Sequence, residues 1–255
     1  SRRGLVVGHV QSGKTANYLG LINKAADTGY KLIILIAGIH SNLRAQTQER
    51  VDQGFVGRDS EHILTNRADE KQLGVGRIDP GLPSAAFTSR GSDFSLARAE
   101  GLNVSLDALN VPAIFVIKKN PSILRNLVAW LRGTTHGGQF DLPMLVIDDE
   151  ADNASINVAN DPCRPTTINS LIRELLQLST RNTYVGYTAT PFANIFIDPD
   201  STGEMLGDDL FPKHFLVGLD APSNYVGARE YFLDEGERLT VPLEDTEDWL
   251  PSSRQ

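Results

Sequence analysis

One short motif constrains this chain more than any other feature, because it functions only between a strand and a helix. Leu5-Val6-Val7 is an apolar run, and Gly8-His9-Val10-Gln11-Ser12-Gly13-Lys14-Thr15 follows it at once. This is the pattern G-x-x-x-x-G-K-[ST] of a phosphate-binding loop. The apolar spacing of residues 16–26 is typical of a helix. The sequence therefore begins with a predicted strand, phosphate-binding loop and helix.

The residue types of this motif predict nucleotide binding with Mg²⁺. Its glycines let successive backbone N–H groups face one concavity that accepts phosphate oxygens, and the helix N-terminus adds its dipole. We expect Lys14 to reach the β- and γ-phosphates and the Thr15 hydroxyl to ligate Mg²⁺. The predicted cofactors are ATP and Mg²⁺, and the remaining predicted contacts are Gly8, Gln11, Ser12 and Gly13.

Apolar runs that alternate with helical segments predict the fold class. The runs at residues 31–37, 113–117, 144–147 and 184–187 read as strands buried on both faces, which is typical of parallel sheets. Helices are predicted at 43–53, 121–131 and 167–178, with Ser41 or Asn42 capping the first and Thr166 or Thr167 the last. The prediction is an α/β fold with a mostly parallel sheet and helices on both faces.

Residues 54–112 are predicted to be an insertion in this domain. Residues 54–84 are polar and rich in glycine, with Ile63-Leu64 as the only suggestion of a strand. A short strand at 85–88 and a short helix at 92–98 are expected after them. We predict a domain over 1–230 with an insertion around 54–112.

Charge separates the predicted domain from the end of the chain. Residues 1–197 carry 20 basic and 18 acidic side chains, whereas residues 230–248 carry eight acids and one arginine. We expect 231–255 to be an acidic extended tail, or a linker to a second domain outside this sequence. The chain begins at Ser1 almost directly on its first strand, so we expect it to be a fragment of a longer protein.

The composition also predicts the cellular compartment of the protein. No apolar run approaches the ~20 residues that a membrane span requires, and no signal peptide precedes the motif. The single cysteine, Cys163, excludes an internal disulfide. These features predict a cytoplasmic protein without a membrane partner.

Acidic residues follow the apolar run at 144–147 without a break. In parallel sheets ligands collect at the carboxyl ends of strands, so the acids are expected beside the phosphate-binding loop. We expect Asp149 to hold Mg²⁺ and Glu150 to orient and deprotonate an attacking water. Asp148 could replace Asp149 as the acid on the metal side. The predicted catalytic residues are Glu150, Lys14 and Asp149.

Asp149-Glu150-Ala151-Asp152 and the later Thr188-Ala189-Thr190 resemble two motifs of superfamily-two helicases and translocases. The resemblance implies a RecA-like P-loop domain in which Thr188 and Thr190 respond to the γ-phosphate and couple hydrolysis to movement. It also implies nucleic-acid contacts from the segments 38–44 and 118–120, and a second RecA-like domain. We take His40, Asn42, Arg44 and Lys118 as the candidate contacts. The alternatives are that His40 packs or caps, and that Lys118 and Lys119 are ordinary solvated residues.

The chain is more similar to the Z-one domain family, whose members are described as endonucleases. The resemblance lies in the phosphate-binding loop with Ala16-Asn17-Tyr18, in residues 146–152, and in 187–194. It implies a place in bacterial DNA-modification or phage-defence systems, beside a nuclease and a histidine-kinase-like ATPase. No Glu-x-Lys triplet of restriction-type nucleases occurs in the sequence.

These patterns together predict an ATP-dependent nucleic-acid motor domain, with duplex DNA favoured as its partner. One alternative is an endonuclease component whose cutting residues lie outside this chain. A second alternative is a nucleotide-gated switch that controls partner assembly without moving on DNA.

Overall fold

The apolar runs of the sequence form the centre of a seven-stranded sheet in a computed structural model of the chain. The structure describes residues 1–10, 12–65, 71–81, 83–101, 109–134, 138–156, 166–197, 202–203 and 207–227. By its contacts the chain divides into Ser1–Asp220 and Ala221–Gln255. All the elements below belong to the first of these units.

The sheet is parallel throughout. Its strands are β1 (Arg2–Val7), β2 (Leu32–Ala37), β3 (Ala85–Ala86), β4 (Ala113–Ile117), β5 (Met144–Asp149), β6 (Asn182–Thr188) and β9 (Phe215–Gly218). Their order across the sheet is β3-β4-β2-β5-β6-β1-β9, and every neighbouring pair is parallel. Two short strands, β7 (Thr202–Gly203) and β8 (Gly207–Asp208), form a separate antiparallel pair.

Helices cover both faces of the sheet. They are α1 (Lys14–Asp27), α2 (Ser41–Val51), α3 (Ser60–Thr65), α4 (Leu96–Gly101), α5 (Pro121–Gly133), α6 (Thr167–Gln177) and α7 (Phe192–Ile195). A π-helix (Asp52–Val56) continues α2, and a 3₁₀ turn occupies Gly74–Arg77. The predicted α/β class, with helices on both faces of a mostly parallel sheet, is confirmed.

Alternate side chains of each central strand enter opposite cores, as the pleat requires. From β2, Leu32, Ile34 and Ile36 pack with apolar residues of α5 and α6. Ile33 and Leu35 point the other way, into a core built with α1 and the end of α2. Burial of both faces explains why these strands read as continuous apolar runs.

Several local predictions were wrong. Ile63 and Leu64 lie in helix α3 rather than in a strand, and the expected strand at 85–88 is only two residues long. The short helix begins at Leu96 instead of residue 92. The cap of α2 is His40, without a side-chain cap bond, so neither Ser41 nor Asn42 caps this helix.

Candidate nucleotide-binding site

The phosphate-binding loop connects β1 to α1 as the motif predicts. Gly13 has φ +89° and immediately precedes the helix, a conformation that glycine adopts without cost. The N–H of Gly8 donates to the Thr188 carbonyl at 3.0 Å, which ties the loop to the end of β6. Gln11 lies outside the described residues.

The loop leaves little space around Gly8. A Cβ atom at this position would lie 2.9 Å from Ser12 Oγ and 3.2 Å from Lys14 Cγ. Ser12 Oγ is buried and has no hydrogen-bond partner among the described residues. A buried hydroxyl without a partner is expected to bind a ligand or water. A phosphate oxygen in the loop would provide such a partner.

The Lys14 side chain folds back over the phosphate-binding loop. Its Nζ donates to the carbonyl oxygens of Gly8 and His9 at 3.0 and 2.8 Å. Burial lowers the pKa of Lys14, and the nearby carboxylates of Asp149, Asp152 and Glu150 oppose this shift. Its ammonium group is therefore held beside the cleft by carbonyl groups that a bound phosphate would replace.

The structure distinguishes the two adjacent aspartates at the end of β5. Asp149 lines the cleft beside Lys14 and Thr15. Burial, with repulsion from Glu150 and Asp148, raises the pKa of Asp149 to about 6. Because a cation beside this carboxylate would offset its burial, Asp149 fits the metal-side position better than Asp148.

Asp148 points into the protein instead. Its carboxylate pairs with Lys119 Nζ at 2.8 Å, and both side chains are fully buried. The Tyr184 hydroxyl donates to the other carboxylate oxygen at 2.8 Å. The alternative that Asp148 acts as the metal-side acid is therefore not supported by its position.

Lys119 also fixes the backbone of the acidic loop. Besides Asp148, its ammonium group donates to the carbonyl oxygens of Asp149, Glu150 and Asn153 at 3.1, 2.7 and 3.0 Å. Lys119 is 3% exposed, so its interpretation as a solvated residue or nucleic-acid contact is wrong. It is a buried support for the loop.

Glu150 adopts an unusual backbone conformation. Its φ is +57°, a region that non-glycine residues rarely enter and that costs about 1–3 kcal/mol. Bonds to its carbonyl from Lys119 and from the Asn153 N–H hold it there. The Glu150 carboxylate lies beside Gly38, where an added Cβ would be 3.3 Å from Oε2. Strain of this kind concentrates at functional sites.

Thr188 and Thr190 both contact the last acid of the D-E-A-D sequence. Thr188 Oγ1 donates to Asp152 Oδ1 at 2.7 Å, and Thr190 Oγ1 donates to Asp152 Oδ2. The two threonines line the cleft, but their hydroxyls bond to Asp152 in this structure. They are therefore placed to link the acidic loop to β6, and their predicted contact with the γ-phosphate stays a prediction.

These residues surround one cleft of about 1080 Å³, a size suited to a nucleotide. Its wall includes Lys14 and Thr15, the acids Asp149, Glu150 and Asp152, and Arg50 from α2. Within the described residues, no group of three or more His, Cys, Asp or Glu side chains is placed to hold a metal ion. Mg²⁺ commonly uses one or two protein groups and takes its other oxygens from phosphate and water, which fits Thr15 with Asp149.

The predicted nucleic-acid contacts divide into two groups. His40 and Asn42 are exposed at the start of α2, and Lys118 Nζ reaches Ser41 Oγ at 3.4 Å. Arg44 is only 4% exposed, and its guanidinium donates to the carbonyl oxygens of Ser89 and Arg90 at 2.9 and 2.7 Å. Arg44 therefore attaches the insertion to α2 and is not presented to a ligand.

Sequence reasoning missed three residues of this site: Arg50, Lys119 and Asp152. Arg50 donates to Thr15 Oγ1 across 35 residues of chain, and Lys119 reaches the acidic loop across about 30. A short sequence motif does not indicate contacts between residues so far apart in the chain. Asp152 was available from the motif itself, because it is an acid at a strand end.

Comparisons with known proteins add limited information. No protein-family model and no curated protein matches the chain. Among solved structures it matches the Pyrococcus furiosus Hef helicase domain, with 17% sequence identity and a TM-score of 0.48. The match covers 87% of this chain and 36% of that one, so the chain spans about a third of it. Membership of the Z-one family stays a prediction.

Proposed function

We propose that this chain is the nucleotide-binding domain of an ATP-dependent nucleic-acid motor of helicase type. The observation that carries the proposal is the meeting of three strand ends in one cleft. Lys14 and Thr15 follow β1, Asp149 and Glu150 end β5, and Thr188 ends β6. This set of groups suits phosphoryl transfer from a nucleoside triphosphate to water.

Each group has a role that follows from its position. Lys14 and the loop N–H groups bind phosphate oxygens, and Thr15 with Asp149 would hold Mg²⁺. The metal would neutralise phosphate charge and orient the leaving group. Glu150 orients a water and accepts its proton. Asp152 joins the acidic loop to Thr188 and Thr190, so a change beside Glu150 can reach the end of β6.

The exposed residues at the start of α2 supply the proposed nucleic-acid contact. His40, Asn42 and Lys118 lie at the carboxyl ends of β2 and β4, the edge of the sheet that also carries the cleft. Hydrogen bonds from such side chains to phosphates position a protein on DNA without reading its sequence. Duplex DNA, a second RecA-like domain and a bacterial DNA-modification or phage-defence setting belong to this proposal through the motif resemblance.

ATP turnover by the intact protein, with and without duplex DNA, tests the proposal. Lys14→Ala should abolish nucleotide binding, because it removes the ammonium group beside the loop. Glu150→Gln should retain ATP but lower turnover by at least about 100-fold, as expected for loss of a general base. Lys24→Ala on the exposed side of α1 and Glu100→Gln on α4 are matched controls that should behave as wild type.

The results separate the proposal from its alternatives. Turnover that rises with DNA and disappears in Glu150→Gln supports a motor. Turnover that is indifferent to DNA favours a nucleotide-gated switch. Metal-dependent DNA cleavage that survives Glu150→Gln favours the endonuclease alternative, with cutting residues elsewhere. Nucleotide binding that survives Lys14→Ala would contradict the assignment of the site.

A further inference from the structure

A second basic side chain, Arg50, lines the cleft in addition to Lys14. Arg50 lies in the last turn of α2, and its Nη1 donates to Thr15 Oγ1 at 3.0 Å. This hydroxyl is the one that Mg²⁺ would use. The arginine therefore donates to the same oxygen that a metal ion would use.

Arg50 also lines two neighbouring cavities that share several wall residues. It lines the main cleft and a recess of about 80 Å³. The recess is also bounded by Thr15, Gly38, Asp149 and Glu150. A guanidinium in this wall faces the region between the first helix and the acid pair, which is where the terminal phosphate of a bound triphosphate would react.

The balance of charge in the cleft favours a phosphate contact. Among the described residues that line it, Lys14 and Arg50 are the basic side chains, whereas Asp149, Glu150 and Asp152 are acidic. A triphosphate adds further negative charge to this excess of carboxylates. Arg50 is placed to compensate it, and the planar guanidinium can donate two hydrogen bonds to one phosphate group.

The helix end that carries Arg50 is packed against the core, although the Arg50 side chain is exposed. Thr47, Gln48 and Val51 on the same end of α2 are buried. Asp52, which directly follows Val51, accepts hydrogen bonds from Gln48 and from Ser60. The helix end is therefore fixed to the core while the guanidinium is free to move from Thr15 to a ligand.

We infer that Arg50 contacts the terminal phosphate of the bound nucleotide and lets the site distinguish a triphosphate from a diphosphate. The inference rests on the proposed function. When the nucleotide and Mg²⁺ bind, the Thr15 hydroxyl turns to the metal. The Arg50 guanidinium then donates its hydrogen bonds to the phosphate. The chain thus provides its own arginine to the γ-phosphate, independently of any second domain.

The test compares the binding of a non-hydrolysable ATP analogue and of ADP to the chain, both with Mg²⁺, by titration calorimetry. Arg50→Ala should weaken analogue binding at least about tenfold, as for loss of a charge-assisted contact, and ADP binding by less than about twofold. Arg50→Lys should recover part of the affinity for the analogue. Arg125→Ala, an exposed arginine on α5, is the control and should change neither value.

Failure of the inference is distinct from failure of the proposed function. Equal losses for both nucleotides, or no loss for either, would overturn the assignment of Arg50 while nucleotide binding by the wild type stands. A wild-type chain that binds neither nucleotide would overturn the proposed function, and the inference with it. Circular dichroism would verify that Arg50→Ala is folded, as expected for an exposed side chain.

Discussion

Lys119 shows how one buried charge can shape a catalytic loop. Its ammonium group is surrounded by the Asp148 carboxylate and by three carbonyl oxygens of the acidic loop. Burial of an ammonium is costly unless every donor has a partner. These partners determine the backbone path through Glu150, so the lysine acts on the site without touching a ligand.

Replacing Lys119 should therefore destabilise the fold strongly. Lys119→Met leaves Asp148 as an unpaired buried charge and should lower the free energy of unfolding by about 3–5 kcal/mol. Lys118→Met is a close control, since the neighbouring side chain makes one long contact at 3.4 Å, and should cost less than about 0.5 kcal/mol. Urea unfolding measures both. Similar small losses in the two variants would contradict a supporting role for Lys119.

Removing the charge of Asp149 should stabilise the fold, whereas removing that of Lys119 should destabilise it. The charged form of Asp149 is unfavourable in the folded state without metal. Its pKa rises from 3.8 to about 6 on folding, so the penalty is full above pH 6 and absent below about pH 4. In chelator at pH 8, Asp149→Asn should raise the free energy of unfolding by on the order of 2 kcal/mol. This gain should disappear as the pH falls towards 4.

Unfolding curves at pH 8 and pH 4 measure this difference. Asp220→Asn, at an exposed aspartate, is the control and should change the free energy of unfolding by less than about 0.5 kcal/mol, as for other surface substitutions. A gain for Asp149→Asn that is the same at both pH values would mean that its charge is not the cause. A charged Asp149 thus lowers the free energy of unfolding, as expected of a residue whose role is in binding rather than in folding.

Among the elements, strand β9 depends on the absence of a side chain in β1. The Phe215 ring lies over Gly4, and a Cβ on Gly4 would be 2.1 Å from its nearest atom. Gly4 is also paired in register with Phe215. The ring can therefore pack on the sheet only while position 4 is glycine.

Gly4→Ala should displace Phe215 and lower the free energy of unfolding by about 1–3 kcal/mol, as for overpacking elsewhere. In a double-mutant cycle, the alanine should cost less when Phe215→Ala has already removed the ring. Gly20→Ala in α1 is the control, because its Cβ meets nothing within 4 Å. It should stabilise the protein by roughly 0.5–1 kcal/mol. Additive effects of the two substitutions would contradict the steric explanation.

The elements also show what the sequence can and cannot predict. The central strands and the loop at residues 8–15 were predictable, because two-sided burial leaves apolar runs and the motif fixes its own neighbours. Strand β9 was missed because its apolar run, Phe215-Leu216-Val217, is short, carries no motif beside it, and is largely exposed rather than buried on both faces. Lys119 looked solvated because its partners are about 30 residues away in the chain, and the π-helix after α2 has no recognisable pattern.

At the scale of the whole molecule, the site depends on the sheet as one unit. All seven strands of the large sheet run in the same direction, so their carboxyl ends meet at one edge. The cleft draws on residues from position 10 to position 190. The described helices include none long and apolar enough to cross a membrane. Since the lining residues lie in β5 and β6 and in segments that follow β1, β2, β5 and β6, no single segment of this domain can form the site alone.

The position of β1 in the sheet has a consequence for synthesis on the ribosome. This strand is the first to emerge, but its two neighbours, β6 and β9, are the last strands of the sheet in the chain. Its apolar residues therefore have no pairing partner until about 180 further residues have been made. Parallel pairing between such distant segments is slow and leaves apolar surface open to aggregation. Strand β1 is thus expected to be the part of the sheet most prone to aggregation until β6 has been made.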